Sequence, residues 1–360
     1  MEKQFKFWNK YTKKEVQELW DDSLITFDTN VLLGLYRTSP KLSDLFFELS
    51  SKIKERIFIP HQVALEFHRN RYNIITDNYT QLASLLKEIH KFEKELKSSK
   101  FYNYLSTKTR KEIDLDLANK KTKITEREAY FKQLEKNDII YSKLNILLKN
   151  KIENKPNEET IYSIYKEGKD RYAKKIPPGY EDDSKEIGKK FGDLLIWKEI
   201  ISKSKKEKKD IIFITNEKKE DWLWVLKDKK RIGPRPELKE ELFLESKAKF
   251  QISNLENYIF SIANVTANDI QTESIKKEFK FESLFQNNYL KKIQPVIENT
   301  EQNNELIKLQ EEANNIQKMI EDIVSKPEID SNQKQLLGDL RFRKNVIDET
   351  IQKAFSRDNK

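Results

Sequence analysis

The chain has 360 residues, enough for about two domains or for one core with sizeable additions. Charged residues make up 36% of it, and Gly and Pro number only 7 and 9, which excludes loop-rich all-β sandwiches, collagen-like repeats and flexible linkers. The 69 basic residues exceed the 60 acidic ones by a net charge of +9, a mild bias towards polyanionic partners, and the lack of cysteine excludes disulfides and cysteine-ligated metals.

The beginning of the chain does not have the pattern of a secretory signal. Residues 1–16 mix charged and aromatic side chains and lack the apolar segment that such a signal needs. No window of about 18 residues anywhere in the chain is free of charges, so no transmembrane helix is expected. Together with the lack of cysteine, these features favour a cytoplasmic protein with no membrane contact.

Two short stretches then have the pattern of a strand followed by a helix. Residues 23–27 form an apolar run rich in β-formers, which ends at Asp28 and continues as a helical run over 31–36. Residues 56–60 form a second such run, and the helix predicted after it carries Glu66. Because strand, helix, strand, helix is the order of parallel pairing, we expect an α/β core with a parallel sheet.

A long stretch without strand signals comes next. Over 73–175 the apolar residues recur at helical spacing, and the Pro-Pro-Gly-Tyr turn at 177–180 is one that a helix cannot cross. We therefore expect a large α-helical insertion at 73–175, within a core formed by 1–72 and 176–280.

The second part of the core again alternates helix and strand. The strongest strand signal of the chain, Asp-Ile-Ile-Phe-Ile-Thr, lies at 210–215. The expected elements are, in order, a helix from 191, a Lys-rich loop at 203–209, the strand at 210–215, a loop at 233–236 with a helix from 237, and a last strand at 250–252.

Beyond 280 the composition shifts to Gln, Asn, Glu and Lys. Apolar residues there step by three and four, as in a coiled-coil seam: Leu306, Leu309, Ala313, Ile316, Ile320 and Ile323. A Lys-Pro break at 326–327 is followed by a second helix, which carries Leu337, Leu340, Ile347 and Ile351. We expect a helical hairpin over 281–360 that packs seam against helix and offers a surface for self-association or for a protein partner.

Five acidic residues lie where a parallel sheet would place a site. Asp28 follows the first strand, Glu217 and Asp221 follow the strongest strand, Glu66 lies early in a helix, and Asp193 begins one. Loops and helix N-termini converge beyond the carboxyl ends of parallel strands, so these side chains should meet there. A carboxylate cluster without Cys or paired His implies a hard cation such as Mg²⁺ or Mn²⁺.

Each acid also has a simpler interpretation. Asp28 and Asp193 suit helix N-caps, Glu66 suits a solvated helix face, and Glu217 and Asp221 lie in a charged loop. The joint pattern favours the site, because each acid lies beside an apolar run at a strand end or on a helix that faces it.

Four segments resemble the successive motifs of the PIN-like metal-dependent nucleases. They are LITFDTNVLL at 24–33, IPHQVALEF at 59–67, FGDLLIW at 191–197, and IFITNE at 212–217 followed by Asp221 and Trp222. The Pro-Pro-Gly-Tyr and Gly-Pro-Arg segments, at 177–180 and 233–235, are similar to those of a bacterial PIN-like subgroup with a long helical insertion. The resemblance covers less than half of the chain, and four short motifs in the right order are fairly specific.

The resemblance implies a Rossmann-like PIN fold in which Asp28, Glu66 and Asp193 are metal-binding, catalytic acids. The family usually has Asp or Asn at the fourth position, which here is Glu217, a longer residue. Asp221 is the other candidate for this fourth position, and the sequence leaves both open.

Further roles follow from the same resemblance. Three side chains would orient the acids by hydrogen bonds: Thr29, Asn30 and Thr215. Independently of the resemblance, three cations that follow candidate acids in the chain could hold a scissile phosphate or simply be solvated: Arg69, Arg71 and Lys218. Asp182 and Asp183 have the pattern of ordinary loop acids, and the subgroup resemblance leaves a site role open for them.

We therefore expect a Mg²⁺- or Mn²⁺-dependent endonuclease that hydrolyses phosphodiester bonds of RNA or single-stranded DNA. Its role as a toxin, a phage-defence effector or a processing enzyme is left open. The alternative is a catalytically inactive PIN-like protein that binds nucleic acid or serves in assembly; acids at all four positions argue against it, and the unusual Glu217 leaves room for it. No P-loop or dinucleotide fingerprint is present, and His61 and His68 lack zinc-site spacing.

The helical insertion joins the core close to Glu66 and Asp193. We expect it to overhang the site and to gate or grip a nucleic-acid strand. Four of its aromatic side chains are candidates for stacking on bases: Tyr79, Phe92, Phe101 and Tyr102.

Overall fold

A computed structural model describes residues 5–185, 190–266, 275–276, 279, 313–324, 337, 340, 344 and 347–348. Contacts divide the chain into two compact units, Met1–Glu278 and Phe279–Lys360. All of the predicted site residues belong to the first unit.

The core of the first unit is a parallel sheet. Among the described residues its three strands are β1 (Leu24–Phe27), β2 (Ile211–Ile214) and β5 (Phe250–Ser253), in the spatial order β1-β2-β5. Strand β2 is apolar and fully buried because it has a neighbour on each side, as is usual for parallel strands covered by helices. The predicted parallel sheet and its last strand are thereby confirmed.

Helices flank the strands along the chain. In order they are α1 (Lys13–Asp22), α2 (Thr29–Gly34), α3 (Pro40–Lys52) and α4 (His61–Ser98) before the insertion, and α9 (Gly192–Glu207), α10 (Pro236–Ser246) and α11 (Leu255–Val265) after it.

Aromatic side chains fill the core on both faces of the sheet. The Phe27 ring lies 5.2 Å from Phe46 of α3 and 5.1 Å from Tyr258 of α11. Phe213 is paired with the neighbour of Phe27, so its side chain points to the opposite face, where its ring lies 5.0 Å from Trp222. Helices α3 and α11 therefore cover one face, and on the other face Trp197 of α9 packs on Trp222 and on Phe250 of β5, with ring distances of 6.1 and 4.8 Å.

The strand register determines where the site lies. Phe27 pairs with Ile214, so the two strands end level, and Asp28 and Thr215 are the next residues of the two chains. The amide of Asp28 continues the ladder by donating to the carbonyl of Ile214 at 2.8 Å. The first predicted acid is thus held by backbone pairing at the carboxyl edge of the sheet.

The predicted strand at 56–60 is not a regular strand. Ile57 forms an isolated parallel bridge with Ile25, and Ile59 forms another with Ile152 of the insertion. Each bridge involves a different partner segment, and Pro60 has no N–H with which to extend the pairing. The run is therefore buried beside β1 without forming a continuous ladder.

Two predicted loops are also wrong in part. Residues 231–234 form strand β4 (Arg231–Pro234), which pairs antiparallel with β3 (Leu223–Val225). The Lys-rich stretch at 203–209 is helical up to Glu207, since Lys is a good helix former and Lys203 forms ion pairs with Glu153 and Glu207. Charge composition alone misidentified it as a loop.

The insertion is helical, as predicted. Its helices are the distal part of α4, then α5 (Lys100–Tyr104), α6 (Thr107–Lys136), α7 (Ile139–Leu147) and α8 (Glu158–Ala173). Helices α4 and α6 pack antiparallel, since Tyr79 donates to Glu135 at 2.9 Å while Glu93 meets Lys121 at 2.5 Å. Helix α4 is 38 residues long, about 57 Å, and runs without interruption from Glu66 into this pair.

In the second unit, residues 313–324 are helical. Their apolar side chains form a buried cluster with residues of the second predicted segment: Ala313, Ile316, Ile320, Ile323, Leu340 and Ile347, with Leu337 packed against them. Leu306, Leu309, Ile351 and the break at 326–327 lie outside the described residues, so the hairpin itself stays a prediction.

No helix within the described ranges combines the length and the apolar character that crossing a membrane requires.

Candidate active site

Asp28 is bound by two hydrogen-bond donors from neighbouring segments. Asn30 Nδ2 and Thr215 Oγ1 both donate to Asp28 Oδ2 at 2.6 Å. Asp28 occupies the N-cap position of α2, but it makes no side-chain cap hydrogen bond to the described residues of that helix. The capping interpretation therefore fails for Asp28, whose carboxylate points to β2 instead.

Asn30 connects the two strand ends as well. Besides its bond to Asp28, Asn30 Nδ2 lies 3.1 Å from Thr215 Oγ1, and Asn30 Oδ1 accepts from the amide of Asn216 at 3.0 Å. Thr215 Oγ1 also accepts from the amide of Glu217 at 2.9 Å. This network holds the start of the loop after β2 against the loop after β1.

Glu66 reaches the same edge from α4. Its Oε2 accepts from Thr29 Oγ1 at 2.9 Å, and its Oε1 accepts from Gln62 Nε2 at 2.7 Å. A Cβ at Gly192 would lie 2.7 Å from Glu66 Oε1, so α9 begins directly beside this carboxylate. The next residue of α9, Asp193, lies near enough to Asp28 for the two carboxylates to repel each other.

Asp193 has a buried oxygen without a donor. Its Oδ2 makes no hydrogen bond to any described residue, although the side chain as a whole is 23% exposed. The N-cap of α9 is Phe191, so Asp193 lies inside the first turn and does not cap the helix. The capping interpretation therefore fails for this acid too.

The acids raise one another's pKa values. Burial is the main reason why the pKa of Asp28 rises to about 6, and the carboxylates of Glu66 and Glu217 raise it further. Burial likewise raises the pKa of Asp193 to about 7, with contributions from Asp28, Asp182 and Asp221, while Lys219 opposes the rise. These couplings mean that the carboxylates lie close enough to repel one another.

Glu217 and Asp221 differ in their surroundings. Glu217 is 26% exposed, accepts from the amides of Lys218 and Lys219 at 2.7 and 3.2 Å, and lies near enough to Asp28 to raise its pKa. Asp221 is fully buried, and its Oδ2 accepts from the amide of Gly179 at 2.8 Å. Asp221 thus anchors the turn at 177–180.

The predicted phosphate-binding cations also differ. Arg71 is 8% exposed, stacks 4.0 Å from the Tyr141 ring and lies 3.7 Å from Asp138 Oδ2, so it is engaged inside the protein. This burial argues against its predicted contact with a phosphate. Arg69 and Lys218 are exposed, and neither side chain has an ion-pair partner among the described residues.

Three relevant residues were not singled out from the sequence. Lys219 Nζ lies among three carboxylates: 2.9 Å from Asp182, 3.7 Å from Asp193 and 3.8 Å from Glu217. Asp182, predicted as an ordinary loop acid, is buried and paired with this lysine. Glu199 of α9 accepts from the amides of His61 and Gln62 at 2.5 and 3.1 Å and so caps α4.

A signal for Glu199 was present in the sequence, since it is an acid on the apolar face of a predicted helix. For Asp182 the signal was the family resemblance, which left a site role open. Lys219 had none, because it lies in a charged segment where most residues are exposed.

The oxygen atoms of the candidate acids decide whether the site suits a divalent cation. The donors are hard carboxylate oxygens, and Asp193 contributes a buried oxygen without a partner, which suits Mg²⁺ or Mn²⁺ in chemistry. Within the described residues, however, no three Asp, Glu, His or Cys side chains are placed so that they could already hold an ion. The donor atoms therefore suit a divalent cation in their chemistry. Among the described residues, however, no three of these side chains surround one ion position, so they do not form a closed cage.

Comparison with known proteins bears on the same segments. A family model described as PIN like domain matches residues 24–238, which is more than half of the chain. The matched range runs from the first residue of β1 into α10 and includes all the candidate acids. No curated protein and no solved structure matches the chain.

Proposed function

The chain belongs to the PIN-like domain family, and from that premise we propose that it is a Mg²⁺- or Mn²⁺-dependent nuclease. Its reaction would be hydrolysis of phosphodiester bonds in RNA or single-stranded DNA. We further propose that the core has the Rossmann-like PIN arrangement, since parallel strands with helices on both faces agree with it.

The observation that carries the proposal is the convergence of four carboxylates at the carboxyl edge of the sheet. Asp28, Glu66, Asp193 and Glu217 come from four separate segments, and coupling among them helps to raise the pKa values of Asp28 and Asp193. A protein gains no stability from gathering like charges, so a cation that binds there is the economical explanation.

We assign the cation to Asp28, Glu66 and Asp193, with Glu217 as the fourth acid. Glu217 is the better candidate because it lies near enough to Asp28 to raise its pKa, whereas Asp221 binds the turn at 177–180. A bound cation would supply Lewis-acid activation of water and charge stabilisation at the phosphate.

The chain's own groups then orient and bind. Asn30 and Thr215 hold the Asp28 carboxylate, while Thr29 and Gln62 hold Glu66. Hydrolysis joins a water oxygen to phosphorus and breaks the bond to the leaving oxygen, which ends protonated. Two exposed cations near the acids are available for the nucleic-acid phosphates: Arg69 and Lys218.

Cleavage of end-labelled RNA and single-stranded DNA with Mg²⁺, Mn²⁺ or EDTA tests this function. Wild type should cleave only with a cation, and Asp28→Asn should cleave about 100-fold more slowly or worse. Asp116→Asn is the matched control, since this acid lies on α6 with its side chain 67% exposed, and it should cleave like wild type.

The same assay addresses the inactive alternative, which the lack of a closed cage among the described residues favours. Wild type that binds labelled RNA but cleaves neither substrate with either cation would overturn the nuclease proposal. It would support a nucleic-acid-binding role for the family fold in this chain.

A further inference from the structure

Lys219 is the cation of the site. Its Nζ contacts Asp182 Oδ1 at 2.9 Å and lies 3.7 Å from Asp193 Oδ2 and 3.8 Å from Glu217 Oε2. The side chain is only 25% exposed. Burial lowers the pKa of Lys219, but the carboxylates outweigh it and raise the pKa above its usual range, so the ammonium stays charged.

The contact with Asp182 is held by a chain of hydrogen bonds. Asp182 is 7% exposed, and its amide donates to the carbonyl of Gly179 at 3.0 Å. Gly179 is in the left-handed region, with φ of 93°, and its amide donates to the buried Asp221 at 2.8 Å. Asp221 thereby positions the turn that presents Asp182, and Asp182 positions the ammonium of Lys219.

The charges of the site fall into two halves. In one half, Glu217 and Asp182 lie around Lys219. In the other half, Asp28 and Glu66 form no ion pair with any Lys or Arg that the structure describes, although both accept hydrogen bonds from neutral groups. Asp193 is electrostatically coupled to both halves, through Lys219 and through Asp28.

We propose that Lys219 supplies the second positive charge of the site, so that the protein takes one divalent cation at Asp28, Glu66 and Asp193. Two-metal sites place ions about 4 Å apart to stabilise the attacking and leaving oxygens of a phosphoryl group. Lys219 Nζ lies 3.7 Å from Asp193 Oδ2 and 3.8 Å from Glu217 Oε2, so its positive charge lies beside a proposed ligand of the cation. Its N–H groups can donate to a phosphate oxygen.

This inference rests on the proposed nuclease function and deepens it. A lysine ammonium is a compact charge with three N–H donors, and Asp182 accepts from it, so N–H groups remain for a phosphate oxygen. The ammonium keeps its protons through the hydrolysis and contributes only charge and hydrogen bonds.

Counting bound Mn²⁺ tests the inference without an activity measurement. The full chain, stripped of metal, is titrated with Mn²⁺ and followed by calorimetry and by electron paramagnetic resonance of the free ion. Wild type should bind one ion per chain, and Lys219→Met should bind two, because removal of the ammonium leaves Asp193 and Glu217 without the cation that they pair with. Lys219→Arg, which keeps the charge, should bind one.

Two control variants change the net charge as Lys219→Met does but keep Lys219 itself. Lys227→Met removes an exposed lysine of the same charged segment, and Lys185→Met removes a second lysine that contacts Asp182, at 3.0 Å. Both should bind one ion, and melting of the metal-free proteins verifies that each variant is folded.

If the wild type binds two Mn²⁺ ions, or if a folded Lys219→Met variant binds one, this inference is overturned and the nuclease proposal still stands. If wild type binds no Mn²⁺ at all, both proposals fail.

Discussion

The carboxylate of Asp193 combines burial, like-charged neighbours and an oxygen without a donor among the described residues. Asn at this position keeps the shape but removes the charge. We therefore expect metal-free Asp193→Asn to melt at the wild-type temperature or slightly above it, because repulsion with Asp28 is relieved.

With saturating Mn²⁺ the order should reverse. Wild type should gain about 2.7 kcal/mol at a hundredfold excess over Kd, whereas Asp28→Asn and Asp193→Asn should gain much less. Scanning calorimetry of the three proteins and of the Asp116→Asn control, each with and without Mn²⁺, measures this. An equal metal response in all four would rule out the metal assignment.

Buried acids also predict how stability depends on pH. The pKa values of Asp28, Asp193 and Glu199 are raised to about 6, 7 and 7, mainly by burial. Between about pH 4 and pH 7 these groups bind more protons in the folded state than in the unfolded one, so their contribution to the free energy of unfolding falls as pH rises.

Asp193→Asn removes one such contribution. The stability of the metal-free wild type relative to this variant should therefore decline from about pH 5 to about pH 8. Urea unfolding at both pH values gives the difference, and Asp116→Asn should show none. Wild type that gains stability relative to Asp193→Asn as pH rises would contradict the raised pKa.

At the scale of elements, α4 depends on a residue far away in sequence. Its N-cap is Pro60, which makes no side-chain cap bond to the described residues, and Glu199 of α9 accepts from the first two amides instead. Glu199→Ala leaves these amides without an acceptor and should cost about 1–3 kcal/mol of unfolding free energy.

The loss should reach the site too, because Gln62 also binds Glu66. Urea unfolding and Mn²⁺ affinity, measured on Glu199→Ala beside Glu112→Ala on the exposed surface of α6, report the two effects. Wild-type values for both quantities in Glu199→Ala would mean that the cap is unimportant.

The helical insertion at 73–175 is predicted to gate or grip a nucleic-acid strand. Of its candidate stacking residues, Phe92 and Phe101 are 55% and 80% exposed. Tyr102 is buried and donates to Asp114, and Tyr79 donates to Glu135, so these two are used for packing.

Phe92→Ala together with Phe101→Ala should weaken binding of single-stranded RNA by about 1–3 kcal/mol per stacked base and leave the melting temperature unchanged. Fluorescence anisotropy in EDTA measures the affinity, and Leu115→Ala, an exposed apolar residue of α6, is the control. Unchanged affinity of the double variant would mean that the insertion does not contact bases through these two rings.

At the scale of the whole molecule, the second unit has a buried apolar cluster of its own. Outside that cluster, Met319 and Val324 are 49% and 50% exposed on the helix at 313–324. We expect this surface to support self-association, so the full chain should have more than the mass of a monomer in light scattering.

Met319→Glu with Val324→Glu should shift the mass towards the monomer, while Asn315→Glu, at an exposed polar position, should not. Removal of 279–360 should likewise give monomers with unchanged Mn²⁺ binding. A full chain with the mass of a monomer in light scattering would contradict this prediction.

The local sequence pattern was sufficient to predict much of the core. The runs that became β1, β2 and β5 are rich in β-formers and end in polar residues, so their existence and parallel pairing could be predicted. Asp28 and Glu66 could be identified as candidates because their positions relative to a strand or a helix follow from the same pattern. The bridges at 57 and 59 and the β3–β4 hairpin could not, since short strands depend on their partners.

The sequence by itself determined the three strands of the parallel sheet, most of the helices and the sheet edge at which the candidate acids lie, because hydrophobic periodicity and turn residues act over a few positions. Only the tertiary structure decided that Arg71 is buried against Tyr141, that Glu199 caps α4, and that Lys219 rather than another cation lies among the acids. A charged side chain has the same local sequence whether it is solvated or paired. Its role therefore depends on residues distant in the chain, such as Glu199 and His61, which are 138 positions apart.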